Sequence, residues 1–227
     1  MTLKKALVGL ALASAFVATD AQAETGWEGL EMRVALTAPV VDGHSKFVLK
    51  GSTEYVEVKK ESDYKHNDDV WAGFSGTLSF GYRWGVFGLY VDQDMGGVWW
   101  TGKGDRDPVF IGGTYLTFRG LLGLRHDVEL EFALGAGTIY SGGDKDKTDK
   151  IISNKDGEHS AAFALKFGFG LTYYLLPNTI GVGINLDYNL GLNIYSTEIN
   201  LGVARIDGTQ YNLIHHVNPG IHVIAQF

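Results

Sequence analysis

Residues 180–194 read Ile-Gly-Val-Gly-Ile-Asn-Leu-Asp-Tyr-Asn-Leu-Gly-Leu-Asn-Ile. Each even position, from Ile180 to Ile194, is aliphatic or aromatic, and each odd position, from Gly181 to Asn193, is Gly, Asn or Asp. Successive side chains of a strand point to opposite faces, so this stretch is a strand with one apolar and one polar face. Strands in ordinary sheets commonly end after about 5–6 residues, whereas a strand that crosses a membrane needs ~9–11. Fifteen alternating residues therefore point to a membrane-spanning sheet. Such a sheet must close on itself, because an open edge would leave backbone groups unpaired in lipid.

The N-terminus carries a second signal. Lys4 and Lys5 precede an apolar run from Ala6 to Thr19, and Ala21-Gln22-Ala23 has small residues at the positions a signal peptidase reads. The run is shorter than the ~20 residues a membrane helix requires. The expectation is a cleaved secretory signal, residues 1–23, followed by one barrel domain, residues 24–227. No later stretch is long and apolar enough to encode a crossing helix. The formal charge of −7 offers no electrostatic footprint for nucleic acid. The absence of cysteine excludes disulfides and thiolate metal sites, and no other cofactor pattern is present.

From Glu28 onward the sequence contains eight segments of period two, at about Glu28–Ala38, Ala72–Trp84, Val86–Trp100, Val109–Leu122, Val128–Tyr140, Ala161–Leu175, Ile180–Ile194 and Ile214–Phe227. Tight turns follow the second, fourth and sixth, at Arg83–Gly85, Gly123–Asp127 and Pro177–Thr179. Long polar connections follow the others: Pro39–Val70, Thr101–Pro108, Ser141–Ser160 and Tyr195–Leu213. Transmembrane barrels have this asymmetry, with short turns in the periplasm and long loops outside. The fold expected is all-β, an eight-stranded antiparallel up-and-down barrel with both termini periplasmic. If Lys46–Lys50 and Glu54–Lys59 crossed the membrane, the count would be ten; their charges and short length favour a hairpin above it.

Aromatic residues fall near both expected interfaces, with Trp27, Tyr82, Trp84, Phe87, Phe118 and Tyr173 beside the turns and Trp99, Trp100, Tyr140 and Phe163 beside the loops. Alternation alone also fits a soluble barrel with its apolar face inward. The signal, loop asymmetry and aromatic girdles favour the membrane. Gln93 is the awkward polar residue on the outward parity, to be explained by a bulge or an aqueous end position.

The last strand ends Ile221-His-Val-Ile-Ala-Gln-Phe227, with Phe227 on the lipid-facing parity. This resembles the terminal-strand signature of Gram-negative outer-membrane proteins, which implies recognition of Phe227 by the barrel-assembly machinery. With eight strands in about 200 residues, the chain resembles the small outer-membrane barrels that include the OmpA transmembrane domain and OmpX. The peptidoglycan-binding domain that full-length OmpA-type proteins carry is not expected after Phe227.

A barrel of eight strands has a lumen that side chains can just fill. The inward parity holds Glu31, Arg33, Tyr90, Asp92, Asp94, Arg119, Glu129, Glu131, Lys166, Asp187 and His222. These residues are expected to form a polar interior network, because unpaired buried charge is strongly disfavoured. The result is a plugged lumen, with a narrow ion pathway as the alternative.

Asp144, Asp146 and Asp149 resemble a calcium loop only superficially, since Asp149 occupies the position that requires glycine and lysines are interleaved. His44-Ser45 and His159-Ser160 are the candidates for a lipid A acyl hydrolase or acyltransferase, a chemistry that needs a nucleophile and its base within hydrogen-bond reach. His215, His216 and His222 read as interface and interior residues of the last strand. The function expected is non-enzymatic: a barrel among outer-membrane lipids and lipopolysaccharide whose loops meet an extracellular ligand or support envelope integrity.

Overall fold

The computed structural model describes residues 28–49, 55–56, 70–101, 108–125, 127–142, 159–176, 179–200 and 205–227. The expected signal, the calcium-like loop and Trp27 lie outside them, as do the side chains of Trp100, His44, Ser45, His159 and Ser160. The strands are β1 (Glu28–Thr37), β2 (Val40–Leu49), β3 (Tyr55–Val56), β4 (Val70–Trp84), β5 (Phe87–Trp100), β6 (Val109–Arg125), β7 (Val128–Gly142), β8 (His159–Leu176), β9 (Ile180–Asn200) and β10 (Arg205–Gln226). Neighbours pair antiparallel from β4 through β10, and β1 closes the circle by pairing with both β10 and β4.

β1 and β2 are two lengths of one wall strand. Against β10 the pairing runs to Thr37↔Gly220 and resumes in the same register at Val40↔Val217. Against β4 it likewise continues from Thr37↔Ser75 to Val40↔Ala72. The gap falls where Pro39 stands near Pro219 of β10, and neither proline has an N–H to give the ladder. The Ala38 N–H donates to Pro219 O at 2.8 Å and the Gly73 N–H to Pro39 O at 3.0 Å, so the wall stays closed across the gap. The barrel therefore has eight strands among the described residues. β3 lies outside it, pairing with β2 through Phe47↔Val56 and Val48↔Tyr55 as the small hairpin the sequence implied.

Two expected loops begin or end as strand. β2 runs along β10 from Val40↔Val217 to Leu49↔Gly208, within the segment read as the first loop. β9 and β10 stay paired as far as Asn200↔Arg205, well into the segment read as Tyr195–Leu213. Polar composition there does not end the ladder, because the backbone pairs whatever the side chains, and Tyr, Ile and Thr suit extended chain. The turn at Gly85 is tight, with φ 58° at that glycine, a conformation other residues resist. Register shifts occur beside the other turns, at Gly123/Arg125 and Tyr174/Leu176.

The two faces differ in the sense opposite to a soluble barrel. Outward residues include Leu36, Phe74, Leu116, Leu134, Phe163, Leu186 and Ile221, all exposed, whereas the charged residues point in. A soluble barrel would bury the first set and hydrate the second. Aromatic pairs mark both ends of the apolar belt: Tyr82 with Trp84 and Phe87 with Phe118 near the turns, Phe110 stacked on Tyr140 at the opposite end. Gln93 needs no bulge, since its ladder is regular. Its amide accepts from Thr114 Oγ1 at 2.7 Å and donates to the Tyr140 hydroxyl, so it is satisfied locally on the outer wall.

Candidate functional site: the barrel lumen

Strand parity sends Glu31 and Arg33 from β1, Asp92 and Asp94 from β5, Arg119 from β6, Glu129 and Glu131 from β7, Lys166 from β8, Asp187 from β9 and His222 from β10 into the lumen, and all are buried. Most join one continuous network. Arg33 grips Glu131 through both terminal nitrogens, with Nη1 donating to Oε1 at 2.8 Å and Nη2 donating to Oε2. Arg119 approaches the same Glu131 at 3.5 Å and donates to Asp92 Oδ1 at 2.6 Å. Asp92 also accepts from Ser79 at 2.5 Å and Thr117 at 2.9 Å. Lys166 Nζ lies 3.0 Å from Asp92 and 3.4 Å from Asp187. Asn185 donates to Asp187 at 3.2 Å, and His222 contacts Thr172 at 2.9 Å.

Towards the turns the network continues through residues the sequence reading passed over. Arg83, read as a turn residue, lies in β4 with its side chain inward, where Nη2 donates to Glu129 at 2.5 Å and Nε to Gly85 O at 2.7 Å. The Tyr174 hydroxyl donates to Glu129 at 3.1 Å, and Gln226 Nε2 bridges the Tyr174 hydroxyl at 3.0 Å and Glu31 at 3.1 Å. The parity that assigns Ser75, Thr77 and Ser79 inward also assigns Arg83, so its place was legible.

The opposite end of the lumen is mostly apolar, with His216, Asn189 and Ser141 as buried polar members. Val41, Trp71, Val98, Val109, Ile111, Ile139, Ala162, Ala164 and Ile214 are buried there in one cluster with Tyr115. The expectation of a polar interior was incomplete: Val98 shares the parity of Asp92, and Ile139 that of Glu131. The lumen is thus an ionic layer towards the turns and a hydrophobic layer beyond it. Between them Asp94 stands apart, with neither carboxylate oxygen hydrogen-bonded.

The histidines separate by parity. His216 is buried and contacts Asn189 at 3.2 Å, whereas His215 is half-buried on the outer wall, 2.7 Å from the Tyr188 hydroxyl. Phe227 is exposed on the outer wall at the turn end, its N–H donating to Leu30 O at 2.8 Å. Among the described residues no group of three or more His, Cys, Asp or Glu is placed to hold a metal ion.

An apolar belt around a lumen filled with charge and hydrocarbon defines a transmembrane β-barrel of the outer-membrane class. No family model and no curated protein matches the chain. Among solved structures it is similar to Neisserial surface protein A, at 13% identity over 85% of this chain and 97% of that one, with a TM-score of 0.46. It is also similar to the outer membrane protein AlkL, at 14% identity over 89% and 93% with a TM-score of 0.43. A third is the outer membrane protease OmpT of Escherichia coli, at 7% identity over 88% and 97% with a TM-score of 0.41. Likenesses this loose carry no residue role to the present chain, whose reading rests on its own wall and lumen.

Proposed function

We propose that this chain is a non-enzymatic outer-membrane protein whose barrel is a rigid mount for the segments at its loop end. Those segments meet an extracellular ligand or support the integrity of the envelope. The observation that carries the reading is the filled lumen: an Arg33–Glu131–Arg119–Asp92–Lys166 ion chain backed by the layer of Val98, Ile111, Ile139 and Ile214. Such an interior favours stability over passage, because moving an ion through it would break buried pairs and hydrate hydrocarbon.

Purified protein in planar bilayers is expected to give no reproducible conductance. A discrete step altered by Lys166→Ala would overturn the plug. Mass spectra of lipid A are expected to be unchanged on expression; loss or gain of an acyl chain that depends on His159 or Ser160 would overturn the non-enzymatic reading. In the same proposal the signal is cut before Glu24, both termini lie in the periplasm, Phe227 is read by the barrel-assembly machinery, and the wall contacts lipopolysaccharide. N-terminal sequencing of the outer-membrane fraction tests the cleavage.

A further inference from the structure

We infer that the lumen binds one small monovalent cation, Na⁺ or K⁺, between the Asp94 carboxylate and the Tyr115 hydroxyl. Asp94 and Tyr115 are each 1% exposed, and Asp94 Oδ1, Asp94 Oδ2 and the Tyr115 hydroxyl all lack a hydrogen-bond partner. The register brings them to one place. Gly113 is the direct cross-strand partner of Asp94, and a Cβ built on Gly113 would collide with the Tyr115 hydroxyl and ring. The hydroxyl therefore lies over the residue opposite Asp94, on the same inward face as the carboxylate and without a hydrogen bond to it. Thr77, the partner of Asp94 on the other side, adds a buried hydroxyl close to the same carboxylate.

Charge supplies the second argument. The buried residues described in the lumen include six carboxylates, Glu31, Asp92, Asp94, Glu129, Glu131 and Asp187, against four permanent cations, Arg33, Arg83, Arg119 and Lys166. Lys166, which reaches into the lumen from β8, is held at 3.0 Å by Asp92 and at 3.4 Å by Asp187. Beyond Asp94 the lumen is lined by Val98 and Ile111, which cannot solvate a carboxylate. One carboxylate and two hydroxyls form part of an alkali cation's oxygen shell, the rest of which falls to water or backbone carbonyls, and the ion removes one unit of the excess negative charge. Among the described residues no group of three or more His, Cys, Asp or Glu is placed for a metal ion, and the single carboxylate at this place matches the charge of a monovalent one.

The test is refolding and urea unfolding at constant ionic strength, with NaCl or KCl replaced stepwise by N-methylglucamine chloride, whose cation is too large for the lumen. For a ligand bound only by the folded state, the folded-to-unfolded ratio rises about tenfold per tenfold increase in free cation above the dissociation constant. That dependence is expected in the wild type and expected to vanish in Asp94→Asn and weaken in Tyr115→Phe. A wild-type ratio that does not respond to Na⁺ or K⁺, or a response that Asp94→Asn retains, overturns the site in favour of a proton or water on Asp94. Should Asp94→Asn fail to fold, crystals of the wild type grown in RbCl and in NaCl decide: an anomalous rubidium peak, or density at sodium–oxygen distances, between Asp94 and Tyr115 supports the site, and neither appearing there overturns it. Neither result bears on the mount, because an occupied plug and an empty one alike block conduction.

Discussion

The excess of buried carboxylates makes the two partners of one ion pair unequal, and Arg33 and Glu131 test that directly. Arg33 makes two bonds to Glu131 and lies 3.9 Å from Glu31, with all three side chains nearly inaccessible. Arg33→Met removes one of four buried cations while all six carboxylates remain. Glu131 then keeps only Arg119, at 3.5 Å, and Glu31 keeps the neutral Gln226 amide at 3.1 Å and, for a cation, only a distant Arg119 contact of 3.9 Å. Stranding a buried charge costs about 3–5 kcal/mol, a factor of roughly 10² to 4 × 10³ in the folded-to-unfolded ratio. Glu131→Gln acts in the other direction on charge: it removes a carboxylate from the excess and leaves an amide oxygen that still accepts from Arg33. Its cost should be nearer ~1–2 kcal/mol, that of weakening a charged hydrogen bond. The assay is urea unfolding of the barrel in lipid vesicles, followed by the gel shift between folded and heat-denatured forms. Glu131→Gln costing as much as Arg33→Met, or more, would refute the reasoning, because the interior would then not be short of positive charge.

Two further outcomes concern the wall. A Cβ at Gly137 would fall inside the carbonyl oxygen of Thr114, a backbone atom, whereas one at Gly97 would meet nothing closer than 3.9 Å. Gly137→Ala should therefore lower stability by about 1–3 kcal/mol, as overpacking does, and Gly97→Ala should leave the urea midpoint unchanged; equal effects would count against the strand register. Leu186 is an exposed residue midway along the spanning part of β9. Leu186→Lys should cost ~2–4 kcal/mol in vesicles if lipid covers that face, and a neutral result would mean that water reaches it.

The fold was legible because alternation repeats in every wall strand and the tight turns punctuate it. The ion network was legible through the same parity, which by itself places Glu31, Arg33, Asp92, Arg119, Glu131 and Lys166 on the inward face. Arg83 was missed because it adjoins the Gly85 turn, although Ser75, Thr77 and Ser79 share its parity and its lumen. The apolar layer was missed for a related reason. Val98, Ile111, Ile139 and Ile214 resemble lipid-facing residues in type, and only their position in the alternation marks them as interior. The extension of β9 and β10 was hidden by polar residues from Tyr195 onward, which signal solvent but leave backbone pairing intact.

Alternation and its length determined by themselves that this chain makes membrane-length strands with one charged face, since both properties are local and repeat every second residue. Which charges meet was decided by the tertiary structure alone. Arg33 and Glu131 are 98 residues apart in the chain, and their contact depends on closing β1 onto β10 and on the stagger of every strand between. The same closure decided that Lys166 goes to Asp92 and Asp187, leaving the Asp94 carboxylate without a hydrogen bond. A sequence states how many charges face inward; only the closed wall sets the distances that pair them.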